Sequence, residues 1–303
     1  MSDLLNSIDD KYKALGHDST VFLKGLLHSK PLDYWDYIQV DTLLTLQKPK
    51  TEFTDEYIFV VYHQITELLL ALVKHEITQI VEAKEIDQAF IALKVGRINR
   101  YMDVMESSFT VMSQGMDYQQ YNTFRLSLAP ASGFQAVSFR LIELMCTDVI
   151  NIVKPSERKK YSADSSPSEM LQDVYWKDAG MDRATGKKSL MLIRFEDKYL
   201  KQLEEHADAM KLKNLNHIIL SLPEISDELK AALRRMDYVF NVKWPLAHLK
   251  TAEHYLLASG VKTASTGMSD WQKYLHPHYQ RRIFFPTIWT NDEISNWGNF
   301  EVE

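Results

Sequence analysis

The sequence predicts an all-α protein, and three observations carry that expectation. Residues 56–83 read EYIFVVYHQITELLLALVKHEITQIVEA, a stretch without Pro or Gly and rich in Leu, Ile and Val. Within it Phe59, His63, Thr66, Leu70, Val73 and Ile77 recur at spacings of three and four, so they share one face of a helix. No segment shows the two-residue alternation of a half-buried strand, and no fixed-period repeat suggests a solenoid.

The other elements follow in chain order. Residues 1–30 suggest an amphipathic helix and then a second short one in HDSTVFLKGLLHS. In PLDYWDYIQVDTLLTLQKPKT, Tyr34, Tyr37 and Ile38 fall at i, i+3 and i+4, one aromatic-apolar face with Asp33 placed to cap it. Pro49 and residues 51–55 form a break, with Thr54 or Asp55 as N-cap of the long central helix. A third long helix is expected over 87–112, capped by Asp87 and ended by Gly115. Asp117-Tyr118 opens the next, where Tyr121 and Arg125 lie four apart on one face. Residues 130–133 interrupt it, and a new helix runs from 134 to about 153.

Residues 154–189 are polar, charged and dotted with Pro and Gly, which reads as a linker, an excursion or a mobile loop. Helices resume at 190–210 and near Ser226. Pro245 either kinks the latter or starts the next piece, WPLAHLKTAEHYLLAS, which Gly260 ends. A small-residue loop and a polar helix follow, then an irregular aromatic tail, FFPTIWTNDEISNWG. The whole reads as one helical domain over 1–303, with residues 1–50 as an N-terminal arm.

Composition excludes several function classes. A net charge of -6, with Lys159-Lys160 and Arg281-Arg282 as short basic runs only, argues against a nucleic-acid partner. Cys146 is the only cysteine, so an internal disulfide or a multi-Cys metal site cannot form, and a reducing cytoplasm is the expected setting. The first residues do not resemble a signal peptide, and no uninterrupted apolar run reaches membrane-spanning length, so no membrane partner is expected. Dinucleotide, Walker and nucleophile-elbow motifs do not occur. His63 and Glu67 do not form a zincin motif, nor do the other His/Glu pairs make a di-iron bundle set, although distant helical residues could still assemble a non-haem metal site.

Three residues stand out. His63 sits on an otherwise apolar stripe, where it is either a hydrogen-bonded core histidine or looks into a buried pocket. His248 shares a helical face with Trp244, Thr251 and Tyr255. An isolated neutral imidazole in aromatic surroundings suits a proximal haem ligand, although a core or surface histidine is the commoner occurrence. Arg125, beside Phe124, Leu126 and Leu128, calls for an anion: a structural ion pair, or a substrate carboxylate held through two parallel N–H···O bonds.

Four segments in order resemble the tryptophan 2,3-dioxygenase family: YWDYIQVDTLLTLQ, FVVYHQITELLLALVKHEI, YNTFRLSLAPASGFQAVSFR and WPLAHLKT. That resemblance implies an all-α bundle of the tryptophan/indoleamine dioxygenase type with a buried pocket for haem b and its iron. It implies a dioxygenase that inserts O2 across the indole C2–C3 bond of L-tryptophan to give N-formylkynurenine.

Carried over residue by residue, His248 becomes the proximal iron ligand, with Trp244, Ser132 and Gly133 near the haem. His63 becomes the distal histidine close to the indole N–H, and Phe59 faces the ring. Arg125 holds the carboxylate, Tyr121 and Ser132 line the same pocket, and Thr263 is the best match for the substrate contact from the loop after the proximal helix. Tyr34, Tyr37 and Ile38 close the pocket of a neighbouring subunit in a homotetramer.

The chain departs from the family pattern at Ala71, Ala136, Phe139, Pro245, Ala247 and the loop 262–267. Two other readings therefore stand beside it: a haem enzyme of this fold that oxygenates or hydroxylates another aromatic compound, and a non-catalytic helical interaction protein.

Overall fold

The structure, a computed structural model, describes residues 1–128, 133–162, 164–182, 185–257 and 276–300. Among them β pairing is limited to two isolated bridges, Val153–Val174 and Met181–Lys188, and the fold is all-α as the periodicity predicts. Ser132, Thr263 and Gly260 lie outside the described residues. The chain divides into two compact units, Met1–Lys48 and Pro49–Glu303.

The first unit holds α1 (Ser2–Ala14), α2 (Ser19–Leu26), α3 (Tyr34–Ile38) and α4 (Val40–Leu43). Tyr12 stacks on Phe22 at 4.3 Å between ring centroids, which pairs α1 with α2. Asp18 caps α2 by accepting from the Thr20 amide. Asp33 precedes α3 as expected, but its side chain makes no capping bond. Gln39, at φ 55, turns the chain into the left-handed region and separates α3 from α4.

The second unit is built on α5 (Glu56–Val81). Asp55 stands at its N-cap, yet its carboxylate accepts from the Asp117 amide instead of capping α5, and so ties the start of α5 to the start of α8 (Tyr118–Phe124). Glu56 folds the preceding break onto the helix by accepting from the Lys50 and Thr51 amides. Leu70, Val73, Ile77 and Ile80 pack against Ile91, Val95, Ile98 and Met102 of α6 (Gln88–Ser107), which Asp87 caps. Leu229, Leu233 and Met236 of α13 (Asp227–Tyr238) complete this layer.

The helix expected over 87–112 is two. It breaks at Ser108, whose hydroxyl donates back to the Met105 carbonyl, and α7 (Phe109–Gln114) turns off from there. The helix expected over 134–153 is likewise divided. A 3-10 turn at Gly133–Gln135 leads into α9 (Val137–Cys146), extended Thr147 ends it, and a second 3-10 turn covers Val149–Asn151.

The polar segment 154–189 is folded rather than a linker. Met170, Leu171, Val174, Tyr175, Trp176 and Ala179 are buried against Leu192, Phe195 and Leu203 of α11 (Leu190–Met210). The short α10 (Pro167–Met170) carries a full Ser166/Glu169 capping box. Gly180 allows this approach, since a Cβ there would lie 2.7 Å from that of Leu192. After α11, Asn214 caps α12 (Leu215–Leu220).

Pro245 shapes the approach to its own helix. It has no N–H, and its ring would crowd the carbonyl of Asn241. The chain answers with a widened π turn over Val239–Lys243, from which α14 (Trp244–Leu257) emerges. Asp237, fully buried, locks that turn to the tail: it accepts from the Asn241 side chain (2.6 Å), the Phe284 and Phe285 amides (2.9 and 3.1 Å) and the Trp289 indole (2.9 Å). Two short helices, α15 (Pro277–Gln280) and α16 (Asn291–Ser295), flank the buried aromatics of the tail.

Candidate functional site

The apolar stripe on α5 divides along its length. Leu70, Val73 and Ile77 are core, whereas Phe59 and Thr66 are half-buried and His63 is exposed. Yet protein crowds His63 closely enough that burial lowers its pKa. His63 is thus reachable by solvent while protein closely surrounds its ring, which differs from a fully buried core histidine.

Aromatic side chains from four helices gather around His63. From α5, Phe59 lies 4.1 Å from the His63 ring and Tyr62 meets it edge-on at 5.5 Å. From α7, Phe109 lies 5.9 Å from Tyr62, 6.2 Å from Trp244 and 5.7 Å from His248. From α8, Tyr121 lies 6.4 Å from Phe59 and 4.3 Å from Tyr255 of α14. His248 is half-buried, and burial together with the nearby His63 pushes its pKa down to about 4. The two histidines, far apart in sequence, are therefore near enough in the fold for one to act electrostatically on the other.

Each histidine is neutral near pH 7, and for His63 the tautomer follows from geometry. Its Nδ1 lies 2.7 Å from the Phe59 carbonyl oxygen. A carbonyl only accepts, so Nδ1 carries the hydrogen and Nε2 keeps its lone pair. His63 thus offers an acceptor.

Arg125 follows the last residue of α8 and is buried, at 5% exposure. Its amide donates to the Tyr121 carbonyl, and its Nε donates to Oδ1 of Asn122 at 3.0 Å. Burial raises the Tyr121 hydroxyl to about 12, so it stays a neutral donor, while the Arg125 charge acts in the opposite direction. Tyr255, itself buried, donates its hydroxyl to the Met112 carbonyl at 2.5 Å and so joins α14 to the end of α7.

Phe59, His63, Tyr121, Arg125, Trp244 and His248 thus belong to one neighbourhood. Gly133 is exposed, and a Cβ there would meet nothing within 4 Å among the described residues. Tyr34, Tyr37 and Ile38 belong to the first unit and are exposed at 71%, 73% and 38%. Sequence reading gave no site role to Tyr62, Phe109, Phe124 and Asn122. Of these only Asn122 carried a signal, a polar amide one turn before a buried arginine.

The residues fit a haem. Trp244, one turn before His248, has an indole N–H that is buried with no partner among the described residues, the kind of donor an entering propionate or other acceptor would satisfy. The flat aromatic walls suit a macrocycle. Among the described residues no three His, Cys, Asp or Glu side chains converge, and a porphyrin asks the protein for a single axial ligand. A separate cavity of about 470 Å³, lined by Leu144, Asp148, Arg158, Met170, Asn214 and His217 among others, contains none of these residues.

Comparison with known proteins identifies the family. The family described as Tryptophan 2,3-dioxygenase matches residues 25–218, more than half of the chain. A tryptophan 2,3-dioxygenase of Bacillus thuringiensis subsp. konkukian (strain 97-27) is 28% identical over 275 residues, covering 85% of this chain and 91% of the relative. One from Ruegeria sp. (strain TM1040) is 27% identical over 273 residues, covering 86% and 91%. One from Exiguobacterium sibiricum is 36% identical over a shorter 115 residues, 38% of this chain and 41% of the relative.

Proposed function

The chain belongs to the tryptophan 2,3-dioxygenase family, oxidoreductases of the EC 1.13.11 type, and from that premise we propose that it is a haem-dependent enzyme that opens the indole C2–C3 bond of L-tryptophan with O2 to give N-formylkynurenine. What supports this reading is the gathering of two neutral histidines and aromatic rings from four helices near a buried arginine.

Haem b, when bound, supplies the iron at which O2 is activated. His248 would hold that iron, since its lone pair is not taken by a proton near pH 7. The protein's own contribution is positioning, which in well-oriented systems is worth roughly 7–11 kcal/mol. Arg125 grips the substrate carboxylate, with Tyr121 beside it. Nε2 of His63 accepts from the indole N–H, and Phe59 packs on the ring. Ser132 and Thr263 are further substrate-contact proposals, as are Ser132 and Gly133 beside the haem.

The assembly is a homo-oligomer, most simply a tetramer, with Tyr34, Tyr37 and Ile38 of one copy closing the pocket of another. Two features support it. Those rings and Trp35 are exposed in a unit where α1 buries nothing. α5, long and apolar enough to cross a membrane by composition alone, also presents Ile65, Leu68 and Leu72 to solvent opposite its core face, and a helix apolar on two faces needs a second cover. The free thiol of Cys146, buried in the core, suits a cytoplasmic setting.

The test is product analysis on haem-loaded, reduced protein. L-tryptophan should yield N-formylkynurenine, and Arg125→Leu should lower kcat/KM by about two orders of magnitude, because losing a charge-assisted bidentate contact costs a few kcal/mol. Turnover of another aromatic compound in preference, or equal kcat/KM in the variant, would overturn the substrate assignment.

A further inference from the structure

Asn122 occupies an unusual place. Its side-chain Oδ1 accepts from Nε of Arg125 at 3.0 Å. Its Nδ2 donates to the Tyr118 carbonyl at 3.0 Å and across to the Tyr255 carbonyl on α14 at 3.3 Å. One carboxamide therefore spans three partners: its own helix, the helix that carries His248, and the arginine. It uses both amide hydrogens and the oxygen, so its plane is set on all sides.

We propose that Asn122 is the positioning residue that aims the Arg125 guanidinium, and through it sets the preference for substrates that carry a carboxylate. The inference rests on the carboxylate reading of Arg125. Its physical content is a matter of planes. A guanidinium is flat, and two parallel N–H···O bonds form only when its plane meets that of the carboxylate. The torsions of an arginine side chain leave that plane free to swing unless a nitrogen is held. The Nε contact holds it, and the Asn122 amide is itself fixed by two backbone carbonyls on different helices. Tyr255 is a firm anchor for the far end: it is buried, its hydroxyl is bonded to the Met112 carbonyl, and its ring lies 4.3 Å from Tyr121. Carboxylate recognition on α8 is thus referenced to the backbone of the helix that bears His248.

The experiment measures Kd by titration, and kcat and KM, on haem-loaded protein with L-tryptophan and with tryptamine, which lacks the carboxylate. The variants are Asn122→Leu, Asn122→Asp, Arg125→Leu and the Asn122→Leu/Arg125→Leu double variant. Asn122→Leu should raise Kd and KM for L-tryptophan by about tenfold or more, as loss of a hydrogen bond to a charged group does, while kcat changes less than about threefold and tryptamine binding stays at the wild-type level. In the double variant the Asn122 effect should vanish, because there is no guanidinium left to aim. Asn122→Asp keeps size and shape but loses both donors to the Tyr118 and Tyr255 carbonyls; it should also weaken L-tryptophan selectively, since its charge competes for Arg125, and haem content and thermal unfolding of every variant guard against a folding defect.

Equal weakening of tryptamine, additive effects in the double variant, or wild-type affinity in both single variants at position 122 would overturn the role. If Arg125→Leu weakens L-tryptophan and tryptamine equally, so that the wild-type preference between them persists, the carboxylate reading fails first, and that outcome is told apart by the Arg125 variant alone.

Discussion

His63 offers a test in which magnitude separates two mechanisms. Its Nδ1–H is committed to the Phe59 carbonyl at 2.7 Å, and its ring lies 4.1 Å from that of Phe59. The imidazole is therefore held with Nε2 as an acceptor, and burial keeps it neutral. If it accepts from the indole N–H, His63→Phe, which keeps a flat ring in place, leaves one N–H without a partner in an enclosed site. That costs about 1–3 kcal/mol, or roughly 5- to 150-fold in kcat/KM at 1.4 kcal/mol per decade. If it were an obligatory base, the loss would reach about 10²–10⁴-fold.

Because these ranges meet, 1-methyltryptophan decides. It has no indole N–H to donate or surrender. With the hydrogen-bond role, the wild type turns it over at about the rate at which His63→Phe turns over L-tryptophan, and the variant loses nothing further on it. His63→Ala serves as the control that gives the added methyl room. A wild type that cannot turn over 1-methyltryptophan at all, together with a thousandfold loss in the variant, would establish a base. Equal losses on both substrates would reduce His63 to packing.

Three more outcomes are expected. His248→Ala should lose most bound haem on purification; an unchanged absorption spectrum and haem content would remove the ligand assignment. Arg234 forms a two-pronged pair with Glu293 and stacks 4.1 Å from the Trp289 ring, and this arginine is the main reason that the Glu293 pKa falls to about 2. A carboxylate depressed in the folded state stabilises the fold above its unfolded pKa, and that share is lost as pH falls from about 4.5 toward 2. The share is at most about 3 kcal/mol; Glu293→Gln should flatten the stability profile over that window, and parallel profiles in denaturant titrations would disprove it. Light scattering should give a mass near four chains, and deletion of residues 1–40 should abolish tryptophan binding while haem stays attached; normal binding by the truncated protein would rule out a pocket completed in trans.

What the sequence revealed, and what it hid, follows from the range of the forces involved. The α5 stripe was legible because periodicity is local, but periodicity could not say that its first half, at Phe59 and His63, leaves the core while Leu70 and Val73 stay in it. The breaks at Ser108 and Thr147 were hidden because neither is a Gly or Pro. One is a hydroxyl donating to a carbonyl three residues back, the other a lone extended residue in an apolar run. For segment 154–189 the sequence left linker, excursion and mobile loop side by side because average polarity outweighs a few anchors, and it is Tyr175 and Trp176, not the average, that hold it against a core.

The same logic explains the site. Tyr121 and Arg125 were found together by their spacing of four, whereas Phe109 reaches His248 only through the fold, with no signal in either neighbourhood. Asn122 lies between these cases. Its bond to Arg125 is local and could be read from a spacing of three, but its bond to the Tyr255 carbonyl spans 133 residues, and that longer bond turns a local contact into a fixed geometry. A motif can therefore identify the groups that meet a substrate, while the groups that aim them are set by contacts that only the folded chain supplies.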